Sequence, residues 1–386
     1  MTDQEAIPQS AVPLDPSAQQ QDAQPRPKVP LWTKLTIGLA TIVIIASIAG
    51  FVIHVPYSTI SPGDAVPLTK LVRVDGARTY QNQRGDIRLL FVRERNHVNL
   101  WRYLLAQFDP DTDVLKEEVL NPSGAPQPNL NAEAESDMTT AKLSATKVAL
   151  EAAGYKVSDA KGILVTGVLP SGPAAKLLKP GDVILAANGT PVNDNVALHK
   201  VISRLKVGEK VTLEVLRDGR SMSVPVAIAQ GIKTSQGPIT GVGIDVFPHY
   251  SFPVTVTVDT AGIGGPSGGL AMTLAILDAI TPGNLTGGAR VAVTGTIDPN
   301  GNVGEIGGIE QKAVAARAAH AKLFIVPQCS PQDPPAYKTA CEKDLARATK
   351  RVGSSVKVIP VATFEQALDA LRANGGQAVT PSARAA

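Results

Sequence analysis

The sequence predicts an α+β multidomain chain with a single N-terminal transmembrane helix, a β-rich middle domain and a C-terminal α/β domain. Three observations carry this. Residues 35–55 run for 21 positions without Asp, Glu, Lys or Arg, long enough to cross a hydrocarbon core of about 30 Å. Residues 161–226 are short apolar runs punctuated by Gly-Pro, Pro-Gly-Asp and Asn-Gly, the mark of a small β-rich fold. Beyond residue 236, strand-like and helix-like runs alternate.

Residues 1–34 read as a disordered tail, rich in Gln, Pro, Ala and Asp and without apolar periodicity. Residues 35–55 then form the transmembrane helix. Ser47-Ile48-Ala49 offers a cleavage-site pattern, but the long tail ahead and the unbroken run through Val55 favour an uncleaved anchor. Arg26, Lys28 and Lys34 precede the span and Lys70 and Arg73 follow it, a bias of three against two that places the N-terminus inside the cell. The bulk of the chain is then extracytoplasmic, tethered to the cytoplasmic membrane by one pass.

Residues 56–156 read as a membrane-proximal α/β region. It has strands over Tyr57–Gly76 and Gly85–Arg93, a helix over Val98–Phe108, a loop over Asn121–Asn131 and a longer helix over Ser136–Ala153. No chemistry-bearing pattern occurs there. Residues 157–230 form the next domain: a strand at Gly162–Val168, a short helix from Gly172-Pro173-Ala174-Ala175, a strand at Val183–Ala187 and an Asn188-Gly189 hairpin turn. A helix at Val196–Leu205 and paired strands at Val211–Leu216 and Ser221–Val226 complete it.

The chemistry lies in residues 236–371. Gly264-Gly265-Pro266-Ser267-Gly268-Gly269-Leu270 sits between a period-2 strand, Pro253–Val258, and an apolar helix, Leu270–Ile280. Ser267 therefore lies on a strand-to-helix turn, where glycines admit a close ligand and free N–H groups face whatever the hydroxyl attacks. Backbone N–H groups near Ser267, those of Gly265 and Gly268 among them, are candidates to hold an oxyanion. A serine at such a turn is equally an N-cap, so this heptapeptide alone leaves both readings open. A second segment tips the balance. Thr294 to Pro327 reads as a strand, an Asn300-Gly301 turn, a Gly307-Gly308 hinge, an Ala-rich helix with Lys312 near its start, and a strand at Leu323–Val326. A lysine there meets an unfavourable helix dipole and the small residues Ala313, Ala315 and Ala316, two causes that lower an amine's pKa. Thr294 is a candidate to orient that amine. Residues 372–386 read as a flexible tail.

Both segments resemble the proteolytic domain of Lon proteases (S16), with its Gly-Pro-Ser-small-Gly turn and its Gly-Gly-hydrophobic-x-x-Lys helix start. The resemblance spans residues 236–371 and implies a serine endopeptidase with Ser267 as nucleophile and Lys312 as general base. It also implies polypeptide substrates and a homo-oligomeric ring. Two positions depart from the pattern: Thr296 stands where an acidic residue is usual, and Gly264 where aspartate is common. Residues 157–230 resemble a bacterial PDZ domain, and Gly162, Ile163, Leu164 and Val165 are its candidate peptide-binding strand, although no Gly-Leu-Gly-Phe type loop precedes Gly162. Together with residues 56–156, the order of elements resembles the PDZ-containing, membrane-anchored Lon-like proteases of bacteria, the YlbL type.

The remaining features narrow the class. A net charge of +3, with 18% charged and 4% aromatic residues, offers neither the basic surface nor the stacking platform of a nucleic-acid binder. No G-x-x-x-x-G-K-[ST] occurs, so neither ATP nor any other cofactor is expected. Cys329 and Cys341 bracket a Pro-rich segment after what reads as the last strand. They are disulfide candidates outside the cytoplasm, and no metal-ligand set accompanies them. Two alternatives stand. One is an α/β-hydrolase-type esterase in which Asp298 and His320 follow Ser267, against which His320 lies inside a helix and no HGGG-type run precedes the serine. The other is an inactive membrane adaptor that binds partners through its PDZ domain.

Overall fold

The computed structural model describes residues 30–80, 84–260 and 262–378, and the chain divides into two compact units that meet between Ile53 and His54. Most of the tail read over residues 1–34, and residues 379–386 of the C-terminal one, lie outside the described residues.

The first unit contains helix α1 (Leu31–Val52). Leu35, Ile37, Ile42, Ile45 and Ile48 are all exposed, so the helix is apolar on every side and long enough to cross a membrane. It begins at Leu31 instead of Leu35, because Pro30 is its N-cap and Lys34 fits within the first turn. It ends at Val52 instead of Val55. Val55 precedes Pro56, which disfavours helix, and the Val55 N–H donates to Val98 O at 3.0 Å.

The second unit starts with β1 (Tyr57–Pro67), β2 (Val72–Asp75), β3 (Asp86–Arg95), α2 (Leu100–Ala106), β4 (Asp113–Lys116), α3 (Glu117–Leu120) and α4 (Gln127–Ala152). It continues with β5 (Ser158–Val168), β6 (Val183–Ala187), β7 (Thr190–Pro191), α5 (Asn195–Ile202), β8 (Lys210–Arg217) and β9 (Arg220–Ala227). Then come β10 (Ala229–Thr234), β11 (Gly237–Gly241), β12 (Ile244–Ser251), β13 (Thr255–Val258), α6 (Gly269–Ile280) and β14 (Arg290–Val293). The last elements are β15 (Thr296–Ile297), β16 (Val303–Gly304), α7 (Ile309–Ala318), β17 (Leu323–Pro327), α8 (Pro335–Val352), β18 (Lys357–Val361) and α9 (Phe364–Arg372).

One six-stranded sheet runs in the order β18-β17-β14-β3-β1-β4. Residues 56–156 are therefore not a separate region. Their strands β1, β3 and β4 belong to the same sheet as β14, β17 and β18, and α4 packs on α6. The side-chain alternation shows why they merge. Leu89 and Leu90 of β3 point to opposite faces, Leu89 into a core with α4, α6 and α9 and Leu90 into a core with α7 and α8. Val291, Val293 and Ile325 join the first core, and Ala292, Phe324 and Val326 the second. A sheet buried on both faces needs helices on both.

The second sheet, β12-β5-β6-β8-β9 with β7 paired to β6, is inserted between α4 and β13 and has its own core around Ile163, Val165, Ile184, Val211 and Leu213. Several local expectations shift. Helix α4 starts inside the segment read as a loop, because Pro128 stands in its first turn, where a missing N–H costs nothing. Gly172–Ala175 forms turns without a helix. In the tail read as flexible from residue 372, the Gln377 N–H donates to Asn284 O at 2.9 Å and its side-chain oxygen accepts from the Asn284 N–H at 2.8 Å, so that part is held.

Candidate active site

Ser267 and Lys312 reach one point from opposite faces of the first sheet. Ser267 ends the turn that follows β13 and leads into α6. Its carbonyl accepts from the Gly295 N–H at 2.9 Å and from the Thr294 hydroxyl at 3.2 Å, which fixes the turn against the end of β14. Lys312 stands one turn into α7, behind Gly308, whose φ of 65° opens the helix. Its Nζ lies 3.0 Å from Ser267 Oγ.

Burial sets the state of the amine. Lys312 is 2% exposed, flanked by the buried Ala313 and Ala316. Among the described residues no carboxylate pairs with it. Desolvation of the charged form pushes its pKa from 10.5 down to about 7.

The other residues singled out by sequence fall as follows. Thr294 is fully buried but its hydroxyl donates to the Ser267 carbonyl, so it holds the Ser267 turn where the sequence suggested the amine. The Gly265 N–H is taken by Ala134 O at 2.9 Å, which removes it as an oxyanion donor. The Gly269 and Leu270 N–H groups donate to Pro266 O and Gly295 O at 3.1 and 3.0 Å. Among the described residues the N–H groups of Ser267 and Gly268 donate to no backbone acceptor, and these two remain for a ligand oxygen. Gly264 packs on α4: a Cβ there would stand 3.0 Å from Ala134 Cβ, so a side chain at this position would press on that helix. Thr296 pairs with Gly304 across β15 and β16.

A cleft of about 390 Å³ opens over the pair, lined by Leu89–Arg95, Met138, Gly262–Gly265, Ser267, Gly268 and Lys312. That β3 forms its wall is not readable from local sequence. Pairing with β14 stops at Leu89 opposite Val293, and among the described residues no strand covers the edge of β3 from Leu90 to Arg95 on that side. An extended chain can add there. Asp298 and His320 do not line the cleft. The Asp298 carboxylate accepts from the N–H groups of Asn300 and Asn302 at 2.8 and 2.9 Å, closing the turn, while His320 stands just past α7 at a φ of 54°.

Gly162, Ile163, Leu164 and Val165 are not at a sheet edge. In β5 they are paired on one side with β12 (Pro248 with Ile163, Phe247 with Leu164, Val246 with Val165) and on the other with β6. The free edge belongs to β12, which packs beside α5. Ahead of it runs Gly241-Val242-Gly243-Ile244, the Gly-apolar-Gly-apolar loop sought before Gly162. The sulfurs of Cys329 and Cys341 are bonded, with Cα atoms 5.8 Å apart. Cys341 lies in α8, not in a terminal loop, and β18 follows.

This geometry coincides with two family matches. A PDZ domain model matches residues 138–228, and a model of the C-terminal proteolytic domain of Lon protease (S16) matches residues 213–372. The chain joins a PDZ domain to a Lon-type proteolytic domain behind one N-terminal apolar helix. Among individual proteins, the periplasmic serine endoprotease DegP of Escherichia coli K12 is 40% identical over 80 residues, 20% of this chain and 17% of its own. A probable periplasmic DegP-like serine endoprotease of Chlamydia trachomatis is 34% identical over 115 residues, 28% of this chain and 23% of its own. This chain therefore spans only about a fifth of the length of these relatives. The PDZ domain of an SdrC-like protein from Listeria innocua is 25% identical over 23% of this chain and 97% of that one, with a TM-score of 0.21.

Proposed function

We propose that the chain is a membrane-anchored, ATP-independent serine endopeptidase that hydrolyses unfolded or membrane-released polypeptides with a Ser267–Lys312 dyad. One observation carries the reading: a buried amine 3.0 Å from a serine hydroxyl, with a pKa of about 7 that leaves it substantially neutral at physiological pH. The hydroxyl gives its proton to the neutral amine as Oγ bonds to the scissile carbonyl carbon. The carbonyl π pair moves to oxygen, where the N–H groups of Ser267 and Gly268 receive it, an interaction worth on the order of 3 kcal/mol per donor. Collapse breaks the C–N bond, and the leaving amine takes the proton from Lys312. Water then repeats the sequence on the acyl-enzyme. The open edge of β3 supports an extended polypeptide as substrate.

Ser267→Ala is expected to abolish both turnover of an unfolded protein and labelling by a fluorophosphonate probe. His320→Ala is expected to keep activity within about twofold, since that residue lies outside the cleft, and added Mg-ATP to change nothing. Loss of activity in His320→Ala would favour the Ser-Asp-His reading, and a wild type that never labels would favour the adaptor.

The PDZ groove of this reading lies between β12 and α5, with the backbone of Gly241–Ile244 receiving a terminal carboxylate. Gly243 has a φ of 72°, and a Cβ on it would stand 3.1 Å from Gly172 Cα. Gly243→Val is therefore expected to weaken peptide binding at least tenfold in fluorescence anisotropy while turnover of a short peptide stays unchanged. Equal affinity in the variant would remove the groove from β12. The disulfide supports an extracytoplasmic protease domain, because such bridges persist in oxidising compartments.

A further inference from the structure

We propose that α2, with the turn after it and α3, forms a shallow apolar foot that rests on the lipid surface from which the chain emerges; this builds on the reading of α1 as a membrane anchor. Trp101, Leu104, Leu105 and Phe108 fall at i, i+3, i+4 and i+7, one face of a helix. Among the described residues the outer part of that face is bare: Leu105 is 69% and Phe108 86% exposed, and Val119 of α3 is 64% exposed. Large apolar side chains so bare, on two short helices that both pack on β1 and β4, mark an interaction surface.

The attachment of these helices names the partner. Residues 54–56 lead directly out of α1. His54 bridges to Asn99, the N-cap of α2, and the Val55 N–H donates to Val98 O at 3.0 Å. The Glu117 N–H, at the start of α3, donates to Pro56 O at 3.2 Å. The bonds to Val98, just before α2, and from Glu117, the first residue of α3, tie both helices to the segment that follows α1 in the chain, so connectivity alone keeps them within a few residues of the point where the span ends. The charges around the patch are mixed, Arg102 and Lys116 against Asp109, Asp111, Asp113 and Glu118. The contact is accordingly apolar, insensitive to salt and indifferent to anionic lipid.

Two full-length chains with one tryptophan each test this, since Trp32 and Trp101 are the only two present. In the first, Trp32→Phe and Trp101→Phe are combined with Phe108→Trp; in the second, Trp101→Phe alone leaves Trp32 as a reporter of the span. Both are reconstituted into phosphatidylcholine vesicles containing phosphatidylcholine brominated on its acyl chains. The expected result is that the tryptophan at position 108 loses about half its emission to the brominated lipid, equally at low and high salt. Leu105→Glu should abolish that loss while turnover of a soluble peptide stays the same. An unquenched reporter at 108 beside a quenched Trp32 would overturn the foot and leave the anchor standing. If Trp32 too is unquenched, the anchor reading falls and the foot with it. Efficient Phe108→Cys crosslinking between chains with no lipid quenching would make the patch a contact between copies, which also overturns the proposal.

Discussion

Lys312→Met is expected to lower kcat/KM at pH 7.5 by about a thousandfold or more, the scale of removing a general base together with its activated nucleophile, and at the same time to stabilise the fold. The two effects have one cause. The amine is held where water cannot solvate its charge, which makes it a base at neutral pH and a liability to stability. In the folded chain its pKa is about 7, against 10.5 for the unperturbed group. Between those values the unfolded state binds more protons, so wild-type stability rises with pH from about 7 to about 10.5. Below pH 7 the cost is fully present, on the order of 5 kcal/mol. Methionine has a similar length and no charge to desolvate. The variant should therefore resist urea better than the wild type at pH 6, with the difference fading towards pH 10.5. Wild-type kcat/KM should fall about tenfold per pH unit below 7 as the amine protonates. A variant that is less stable at pH 6, or a wild-type rate flat from pH 5 to 8, would mean that the amine is not desolvated in the way its burial implies.

The pair itself was legible in the sequence because each partner lies in a segment whose local rules are strong. Glycines around a serine before an apolar helix define a turn, and Gly307-Gly308 before an Ala-rich run defines a helix start. What surrounds the pair was not legible, because it depends on pairings across long separations. The wall of the cleft is β3, some 170 residues before Ser267 in the chain; its Leu89-Leu90 pair reads as any buried strand until it is known that β14 stops short of it. The same holds for Ala134, whose carbonyl takes the Gly265 N–H and whose methyl would crowd a side chain at Gly264. The edge of the second sheet is hidden for a related reason. The strand that forms it, β12, comes after β9 in the chain and yet pairs with β5, so nothing local to Gly162 shows that β5 is an inner strand.

Breaking the Cys329–Cys341 bridge, by Cys329→Ser with Cys341→Ser, is expected to cost about 3 kcal/mol of stability, because the bond closes a 12-residue separation and so restricts the unfolded chain. For a unit of this size that corresponds to a fall in Tm on the order of 4 °C. Activity at 25 °C should nevertheless remain within about twofold. The bridge ties the segment after β17 to α8, and α8 packs on α7, the helix that carries Lys312. That packing has its own fastening, independent of the sulfurs: Glu310 in the first turn of α7 accepts from Arg347 at 2.5 Å and Arg351 at 2.9 Å, and Arg351 also reaches Asp111 at 2.6 Å. A collapse of kcat/KM together with Tm would show that the bridge, and not these ion pairs, keeps α7 in place. The same two cysteines report on sidedness. With the protease domain outside the cytoplasm, chain isolated from growing cells and denatured without reductant should take up no maleimide, and two equivalents after reduction; two equivalents without reductant would place the domain on the reducing side of the membrane.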